Sequence, residues 1–320
     1  MKQNNNFFFL ISSERSGSNL ITNLLNNHKN ICAPSPTHLF RLFANNSHKF
    51  GKGNFRLDEK KLVKYFYLAF KNKFTNWDLN ISKNELSKLS VDNAIDYVKY
   101  VYQKLAFKQK KKIIFVKENY TYSFSKSILS NIQNVKFVYL VRDPRSVAAS
   151  WLNRNEYGGA EEAVKIWIND QKETIKFLYQ LKKGNFYLIK YEDILKKNLV
   201  FKKLFKFINV KYDPKILNFY KKKETIQLSK LTNEWKNLSK PLMKNNDQIY
   251  RKILNKDEIN YVEKQCKDLM VFFGYRISNN NNIYVKKNIR KFGKKILTKE
   301  KEKREKRLKI ITDIKNLNYF

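Results

Sequence analysis

Short apolar runs rich in aromatic and β-branched residues recur along the chain, separated by longer amphipathic segments. The runs at residues 7–12, 113–117, 136–141 and 186–190 have the length and composition of buried strands, and residues 30–33 predict a shorter one. A turn and a helical pattern follow each main run, which is the alternation typical of a mostly parallel sheet. The pattern therefore predicts an α/β fold with a parallel sheet flanked by helices.

The segments between these runs predict amphipathic helices. Residues 160–181 and 193–208 place apolar side chains at spacings of three, four and seven, so both are expected to pack on the sheet. Residues 44–112 contain helical patterns at 57–74 and 91–107 but little alternation. We interpret this segment as a helical lobe inserted between the first and second sheet strands, in a position to cap an active site.

The chain changes character near its end. A polar asparagine run leads into residues 286–309, which are dense in lysine and arginine with a few apolar residues. We predict one main domain over residues 1–276 and a basic C-terminal tail over residues 277–320. The tail is interpreted as a solvated basic helix, and weak contact with a membrane surface or a partner is the alternative.

The overall charge adds little specificity to this picture. The chain has 66 Lys+Arg against 28 Asp+Glu and a formal net charge of +38, which would attract nucleic acid, an anionic membrane or a polyanionic ligand. Lysine and asparagine are abundant everywhere, including linkers such as residues 279–282. We therefore favour a dispersed surface charge over a dedicated nucleic-acid face and expect no specific nucleic-acid partner.

The cysteines and the apolar runs bear on the compartment. Cys32 and Cys266 lie far apart without a metal-binding spacing, so neither a zinc site nor a disulfide framework is predicted. The apolar run at residues 7–11 is too short for a signal peptide, and no stretch approaches the roughly 18 apolar residues of a membrane span. These features predict a cytoplasmic protein.

The first candidate site is the stretch FFFLISSERSGSNLI, residues 7–21, which predicts a strand, a short loop and a helix. A nucleotide triphosphatase loop would read GxxxxGK[ST], but here Gly17 is alone and Arg15 precedes it. The helix N-terminus therefore suits a smaller anionic group, which Arg15 can contact in two-pronged fashion. An ordinary strand-to-helix turn with a serine-rich cap is the structural alternative. The loop residues predicted to hold the anion are Ser16, Gly17, Ser18 and Asn19.

A second motif, KFVYLVRDPRSVAASW at residues 136–151, supports the anion reading. Arg142 follows a predicted strand, Pro144 begins a helix, and Ser150 lies eight residues beyond Arg142. An arginine and a hydroxyl so placed can clasp one phosphate. Ligands of open α/β sheets bind at the carboxyl ends of strands, so both loops are expected to share one crevice.

Together, RSGSNL and VRDPRSVAASW resemble the nucleotide-binding signatures of sulfotransferases that use 3'-phosphoadenosine 5'-phosphosulfate (PAPS). The arginine before Ser-Gly is similar to the carbohydrate and tyrosyl-protein branch, of bacterial type. The resemblance implies a P-loop-like parallel sheet, PAPS as the donor co-substrate and no metal ion. It assigns the first loop, Arg15 to Asn19, to the 5'-phosphosulfate, and Arg142 with Ser150 to the 3'-phosphate.

The resemblance extends over about residues 7–276 and includes two departures. Tyr191-Glu192-Asp193-Ile194 resembles the family's YEDL segment, which brings Tyr191 into the predicted donor site, and Trp235 and the closing Phe273-Gly274-Tyr275 are also similar. Asn19 stands where the family often has threonine, and its amide can still bond a phosphate oxygen. Ser229 and Lys230 stand where the cytosolic branch has an Arg-Lys-Gly loop.

Sulfuryl transfer also needs a group that takes the acceptor hydroxyl proton and a cation near the leaving oxygen. His38, in APSPTHLFRLF, and Glu118, in FVKENY, are the alternative bases, whereas His28 is expected to be structural and His48 has no supporting context. By resemblance, Lys117 matches a lysine that neutralises the leaving end. An exposed strand-end pair is the alternative interpretation of Lys117 and Glu118.

The sequence thus predicts a sulfotransferase acting on a hydroxyl of a glycan, a protein tyrosine or a small metabolite. Two rival functions remain at this point. A phosphate-loop kinase of a small metabolite is weakened by the missing lysine, and a basic nucleic-acid or membrane-surface binder without turnover would rest on the charge of the tail.

Overall fold

The strands of the computed structural model form one parallel sheet. The model describes residues 5–51, 57–73, 75, 77–196, 198–232, 235–278, 288–293 and 301–317. The strands are β1 (Asn6–Ser12), β2 (Ile31–Cys32), β3 (Ile113–Lys117), β4 (Lys136–Val141) and β5 (Phe186–Lys190). They pair in the order β2-β3-β1-β4-β5, with every pairing parallel. The predicted α/β sheet is confirmed, and each strand overlaps its predicted range.

Helices cover both faces of this sheet. Within the described ranges they are α1 (Ser18–Asn26), α2 (Leu39–Asn45), α3 (Glu59–Lys71), α4 (Lys83–Ser87), α5 (Ala94–Lys108), α6 (Ser125–Asn131), α7 (Pro144–Leu152), α8 (Gly159–Leu178), α9 (Tyr191–Lys196), α10 (Asn198–Ile208), α11 (Lys223–Ser229), α12 (Tyr250–Ile253), α13 (Lys256–Phe272) and α14 (Lys301–Lys315). The predicted helix at 160–181 is α8, and the one at 193–208 corresponds to α9 and α10 together. None of the described helices has both the length and the apolar character needed to cross a bilayer.

The central strand β1 separates two apolar cores. Phe7, Phe9 and Ile11 belong to one core, and Phe8 and Leu10 to the other. Successive side chains of a strand point to opposite faces, so a continuous apolar run is what a strand covered on both faces requires. The run FFFLI therefore identifies the middle of the sheet, and the loop after β1 lies in the middle of the edge where ligands bind.

The helical segment α3 to α5 lies between β2 and β3 in chain order. The segment was predicted to lie between the first and second sheet strands. The two-residue strand β2 precedes it in the chain and is part of the sheet, so the segment lies between the second and third strands. Its buried side chains, among them Phe66, Tyr97 and Val101, belong to the same core as the Phe7 face of β1. The segment is therefore continuous with the main core and covers one face of the sheet.

The described part of the basic tail is docked, which corrects the interpretation of a solvated helix. Ile310 and Ile314 of α14 are 7% and 0% exposed and belong to the core that contains Phe7. The Lys49 ammonium donates to the Leu317 carbonyl at 2.8 Å, beside the C-terminal end of α14. The high density of lysine and arginine made a solvated helix the expected structure, but Ile310 and Ile314 lie four residues apart and bury one face of α14. Residues 279–287, 294–300 and 318–320 of the predicted tail lie outside the described residues.

Candidate active site

A cavity of about 630 Å³ opens at the carboxyl ends of β1, β3 and β4. Both sequence motifs reach it, as the topology of an open parallel sheet predicts. Ser16 and Glu118 are buried residues whose neighbours line the cavity. The other residues predicted for the site contribute to the cavity wall; they are Arg15, Gly17, Ser18, Asn19, His38, Lys117, Arg142, Ser150 and Tyr191.

The loop after β1 leaves polar groups unsatisfied at the start of α1. Gly17 precedes the helix in a left-handed conformation, with φ at 89°, and no side chain caps the first turn. The first amides of a helix have no acceptor within it, so an uncapped first turn on a cavity wall presents donors to an anion. The Ser16 hydroxyl is buried beside them and has no hydrogen-bond partner. This end of the cavity is therefore built to accept an anionic group.

Gly17 lies directly against the ring of Tyr191, the first residue of α9. A Cβ atom added at Gly17 would lie 2.4 Å from Cδ2 of that ring. The ring is fixed on two further sides: the Arg142 guanidinium lies 4.2 Å from its centroid, and the Asn246 amide donates to its hydroxyl at 2.7 Å. Tyr191 thus supports the loop from below, and only glycine fits above it.

Gly17→Ala is expected to lower the free energy of unfolding more than Gly184→Ala does, as measured by urea titration. Both glycines have a left-handed φ, 89° and 92°, where an alanine costs ~1–2 kcal/mol. At Gly184 an added Cβ meets nothing within 4 Å, whereas at Gly17 it overlaps the Tyr191 ring. We expect the difference between the two variants to be at least about 1 kcal/mol. Equal decreases in the free energy of unfolding would show that the Tyr191 ring moves aside at little energetic cost and that its contact with Gly17 is not tight.

Hydrogen bonds join the second motif to the first. The Arg142 guanidinium donates to the Arg15 carbonyl at 2.9 Å and to the Asn246 carbonyl at 3.3 Å. The Arg15 side chain in turn donates from Nε to the Ser150 hydroxyl at 3.3 Å. Arg142 Nε is buried without a partner. The two loops therefore form one cationic wall that still has an unsatisfied donor.

The remaining charged residues of these motifs hold the loops in place. Arg145, buried at the start of α7, pairs with Asp143 and with Glu263 of α13, each at 2.6 Å. Glu192 accepts from the Asp143 amide and from the Tyr275 hydroxyl, both at 3.0 Å. The segments that resemble YEDL and the closing Phe-Gly-Tyr thus meet each other and fix the turn after β4.

The two alternative bases are in contact with each other. His38 Nδ1 lies 3.0 Å from Glu118 Oε2, and the Glu118 side chain is 0% exposed. The other carboxylate oxygen of Glu118, Oε1, is buried without a partner. Burial lowers the pKa of His38 below its ordinary value of 6.5, and this effect exceeds the opposing hydrogen bond and charge of Glu118. A neutral imidazole therefore faces the cavity near neutral pH, backed by a buried carboxylate.

Lys117, the last residue of β3, is a buried ammonium on the same cavity wall. Burial is the main reason that its pKa falls from 10.5 to about 8; Glu14 and Glu118 oppose this shift, and nearby Arg15 contributes to it. Lys117 and Glu118 are 7% and 1% exposed, so the alternative of an exposed strand-end pair is wrong. Desolvated, partly compensated charges of this kind are typical of functional sites.

Some candidates from the sequence do not reach the cavity. His28 is buried, lies 3.0 Å through Nε2 from the Lys211 carbonyl and packs against Phe205, so it is structural as expected. The Ser229 hydroxyl donates to the Ile226 carbonyl of its own helix, whereas Trp235 does line the cavity. Within the described ranges, no three or more His, Cys, Asp or Glu side chains are grouped to hold a metal ion.

Sequence reasoning missed several polar residues on the cavity wall. Arg41 follows His38 by three residues, one helical turn, so α2 periodicity could have found it. Arg154 lies four residues beyond Ser150, in the turn after α7, and also lines the cavity. Asn246 and Arg307 carry no local signal, because they reach the cavity from segments far along the chain.

Comparison with known proteins agrees with this architecture. The model of the Sulfotransferase family matches residues 8–214. The sulfotransferase domain of the curacin biosynthetic pathway has a similar fold, with a TM-score of 0.59 and 20% identity over 86% of this chain and 99% of that one. The sulfotransferase domain of the Synechococcus PCC 7002 olefin synthase gives 0.60 and 19% over 87% and 98%. No curated protein sequence matches the chain.

The family match spans β1 through β5 and therefore includes both loops that form the cationic wall. It disfavours the alternatives of a phosphate-loop kinase and of a basic binding protein without turnover. Sulfotransferases move a sulfuryl group to hydroxyl-bearing acceptors, and the chain belongs to the sulfotransferase family.

Proposed function

We propose that this protein transfers the sulfuryl group of PAPS to a hydroxyl group of its acceptor. The observation that carries the proposal is the direct link between the two loops, in which Arg142 binds the Arg15 carbonyl and Arg15 binds Ser150. A donor with anionic groups at both ends needs two such sites in one cavity.

The residues present fit PAPS. The uncapped first turn of α1 and the Arg15 side chain would hold the 5'-phosphosulfate. Arg142 and Ser150 would hold the 3'-phosphate, since Arg142 Nε is a buried donor without a partner. PAPS supplies a sulfuryl group that is already activated by its bond to a phosphate oxygen.

His38 is the proposed general base, and Glu118 orients it. A carboxylate oxygen only accepts hydrogen bonds, so the imidazole proton sits on Nδ1 and Nε2 is left to take the acceptor hydroxyl proton. Glu118 also stabilises the imidazolium that forms. The sequence left these residues as alternatives, and the geometry supports a single pair with divided roles.

Lys117 and Arg15 are proposed to stabilise the negative charge that develops on the leaving phosphate oxygen. Lys117 is buried at the end of β3, Arg15 is half-buried in the loop before α1, and both line the cavity. Fixed cations in a desolvated site stabilise developing charge more than the same groups in water. The acceptor itself remains a hydroxyl compound, whether glycan, protein tyrosine or small metabolite.

The proposal predicts a bell-shaped pH dependence of kcat/KM for PAPS. His38 must be neutral to accept a proton, so the acid limb of the profile is expected below the ordinary histidine pKa of 6.5. Lys117 must be protonated, so activity is expected to fall as the pH rises through its pKa of about 8. In Lys117→Arg the guanidinium stays charged, so the alkaline limb is expected to vanish up to about pH 10 while the acid limb remains. A wild-type profile that stays flat above pH 8 would contradict the role of Lys117.

The proposed donor is tested by calorimetric titration with 3',5'-adenosine bisphosphate in the presence of EDTA, beside ATP with magnesium. We expect the bisphosphate to bind without metal and more tightly than ATP. Transfer of labelled sulfate from PAPS to a panel of phenols, sugars and alcohols then measures turnover. Preference for magnesium ATP, or no binding of the bisphosphate, overturns the proposal.

A further inference from the structure

The C-terminal helix α14 presents one face to the body of the protein. Arg307, Ile310 and Ile314 are spaced by three and four residues, so they lie on the same face of the helix. Ile310 and Ile314 are buried in the main core, and Lys306 and Lys309 beside them are exposed. Docking of the two isoleucines therefore turns Arg307 inward.

Arg307 reaches the cavity at the end occupied by the His38 and Glu118 pair. Its guanidinium donates to the carbonyl of Thr37, the residue before His38, and its side chain lines the cavity. Burial lowers the pKa of Arg307, Glu118 opposes this effect, and Arg41 adds to it. Arg307 is thus close enough to Glu118 and Arg41 to feel the charge of both.

Arg41 is the second cation at this end. It lies on α2, lines the cavity and places its guanidinium 5.5 Å from the centroid of the Tyr120 ring. Among the described residues, neither Arg41 nor Arg307 is within ion-pair distance of a carboxylate. The two guanidinium groups therefore repel each other across a partly desolvated space. The buried Glu118 is a countercharge near Arg307, and Glu14 lines the same cavity and accepts from the Tyr120 hydroxyl at 3.4 Å.

This positive charge exceeds what the donor requires. Arg15, Lys117 and Arg142 already serve the phosphates and the leaving oxygen, and they lie on the wall formed by the two signature loops. Arg307 and Arg41 lie beside the proposed base, where the acceptor hydroxyl must bind. An anionic group on the acceptor would relieve their repulsion and receive two-pronged hydrogen bonds.

We propose that α14 completes the acceptor end of the cavity, and that Arg307 and Arg41 bind a carboxylate or phosphate group on the acceptor. This inference rests on the proposed function, because it assumes that the base and the donor loops lie where assigned. It narrows the acceptor to hydroxyl compounds that carry an anionic oxygen group. It also gives the basic C-terminal segment a role in specificity.

The test uses the full chain and acceptors matched except for one charge. The pairs are 4-hydroxyphenylacetate with its amide, lactate with lactamide, and glycerol 3-phosphate with glycerol. We measure kcat/KM with saturating PAPS, and binding of each compound to the enzyme loaded with 3',5'-adenosine bisphosphate. The anionic member of at least one pair is expected to exceed its neutral partner by about tenfold in rate or affinity. The carboxylate and phosphate pairs distinguish the two sources of charge.

Arg307→Gln and Arg41→Gln are each expected to lower this anionic preference at least about fivefold. The matched control is Lys309→Gln, which removes one positive charge from the exposed face of the same helix and is expected to retain the preference. The inference is overturned if the wild type shows no anionic preference in any pair. It is equally overturned if Arg307→Gln and Lys309→Gln give the same ratio.

Titration of every sample with the bisphosphate separates this inference from the proposed function. If the bisphosphate fails to bind the wild type, the proposed function is overturned, and the acceptor assignment that rests on it is overturned as well. If it binds normally and no anionic preference is found, only the acceptor assignment fails.

Discussion

Replacing His38 with alanine is expected to lower kcat for sulfuryl transfer by about two to four orders of magnitude, because the acceptor hydroxyl loses its general base. Affinity for 3',5'-adenosine bisphosphate is expected to stay within about threefold of the wild type. His38 follows β2 and Arg142 of the proposed 3'-phosphate site follows β4, and β3 and β1 lie between these strands in the sheet. The measurements are single-turnover transfer of labelled sulfate and calorimetric titration of the same samples.

Two further variants sharpen the His38 prediction. His48→Ala is the matched control, because His48 lies in the turn Ser47–Phe50, outside the cavity wall. Glu118→Gln keeps the shape of the buried side chain but removes the negative charge behind the imidazole, so a smaller loss of kcat and a downward shift of the acid limb are expected. A kcat for His38→Ala within about twofold of the wild type would contradict the assignment.

The pairing of His38 with Glu118 shows what sequence reasoning could reach and where it stopped. The sequence placed both residues near the transfer site but left them as alternatives, since 80 positions separate them. Their contact depends on β2 lying beside β3 in the sheet, so that the segment carrying His38 follows one strand and Glu118 follows its neighbour. Local patterns find strands, whereas the neighbours of a two-residue strand follow from tertiary packing.

The parts predicted from the sequence share a physical cause. Strands buried on both faces read as continuous apolar runs, and a phosphate-binding turn needs glycine and hydroxyl residues at fixed offsets. Gly17 could be recognised from its place in such a turn, and Arg142 from its place directly after the apolar run at 136–141. Asn246 could not, because it contributes a backbone carbonyl to Arg142 and an amide to Tyr191, and neither contact leaves a mark in its local sequence.

The tail was misread because its composition outweighed its pattern. High charge density predicted a solvated helix, but two isoleucines four residues apart are sufficient to dock a helix when an apolar surface is available. That surface belongs largely to α3, which is far from α14 in the chain, so no local pattern near the tail could indicate it.

Arg142→Ala is expected to weaken binding of 3',5'-adenosine bisphosphate by about a hundredfold, or ~2.7 kcal/mol, through loss of charge-assisted hydrogen bonds to the 3'-phosphate. The variant also removes the hydrogen bonds from Arg142 to the Arg15 and Asn246 carbonyls, so looser loops could by themselves weaken binding. A comparison of ligands separates these effects, since adenosine 5'-phosphate lacks the 3'-phosphate. The wild type is expected to prefer the bisphosphate strongly, and Arg142→Ala is expected to bind both ligands almost equally.

The matched control for this prediction is Arg276→Ala, which removes an exposed arginine outside the cavity and should leave both affinities unchanged. Arg142→Lys keeps the positive charge but loses the planar fork, so it is expected to recover only part of the preference. If Arg142→Ala lowers both affinities in proportion and preserves their ratio, Arg142 supports the loops without contacting the 3'-phosphate. In that case the assignment of the second anion site would pass to Ser150 and its neighbours on α7.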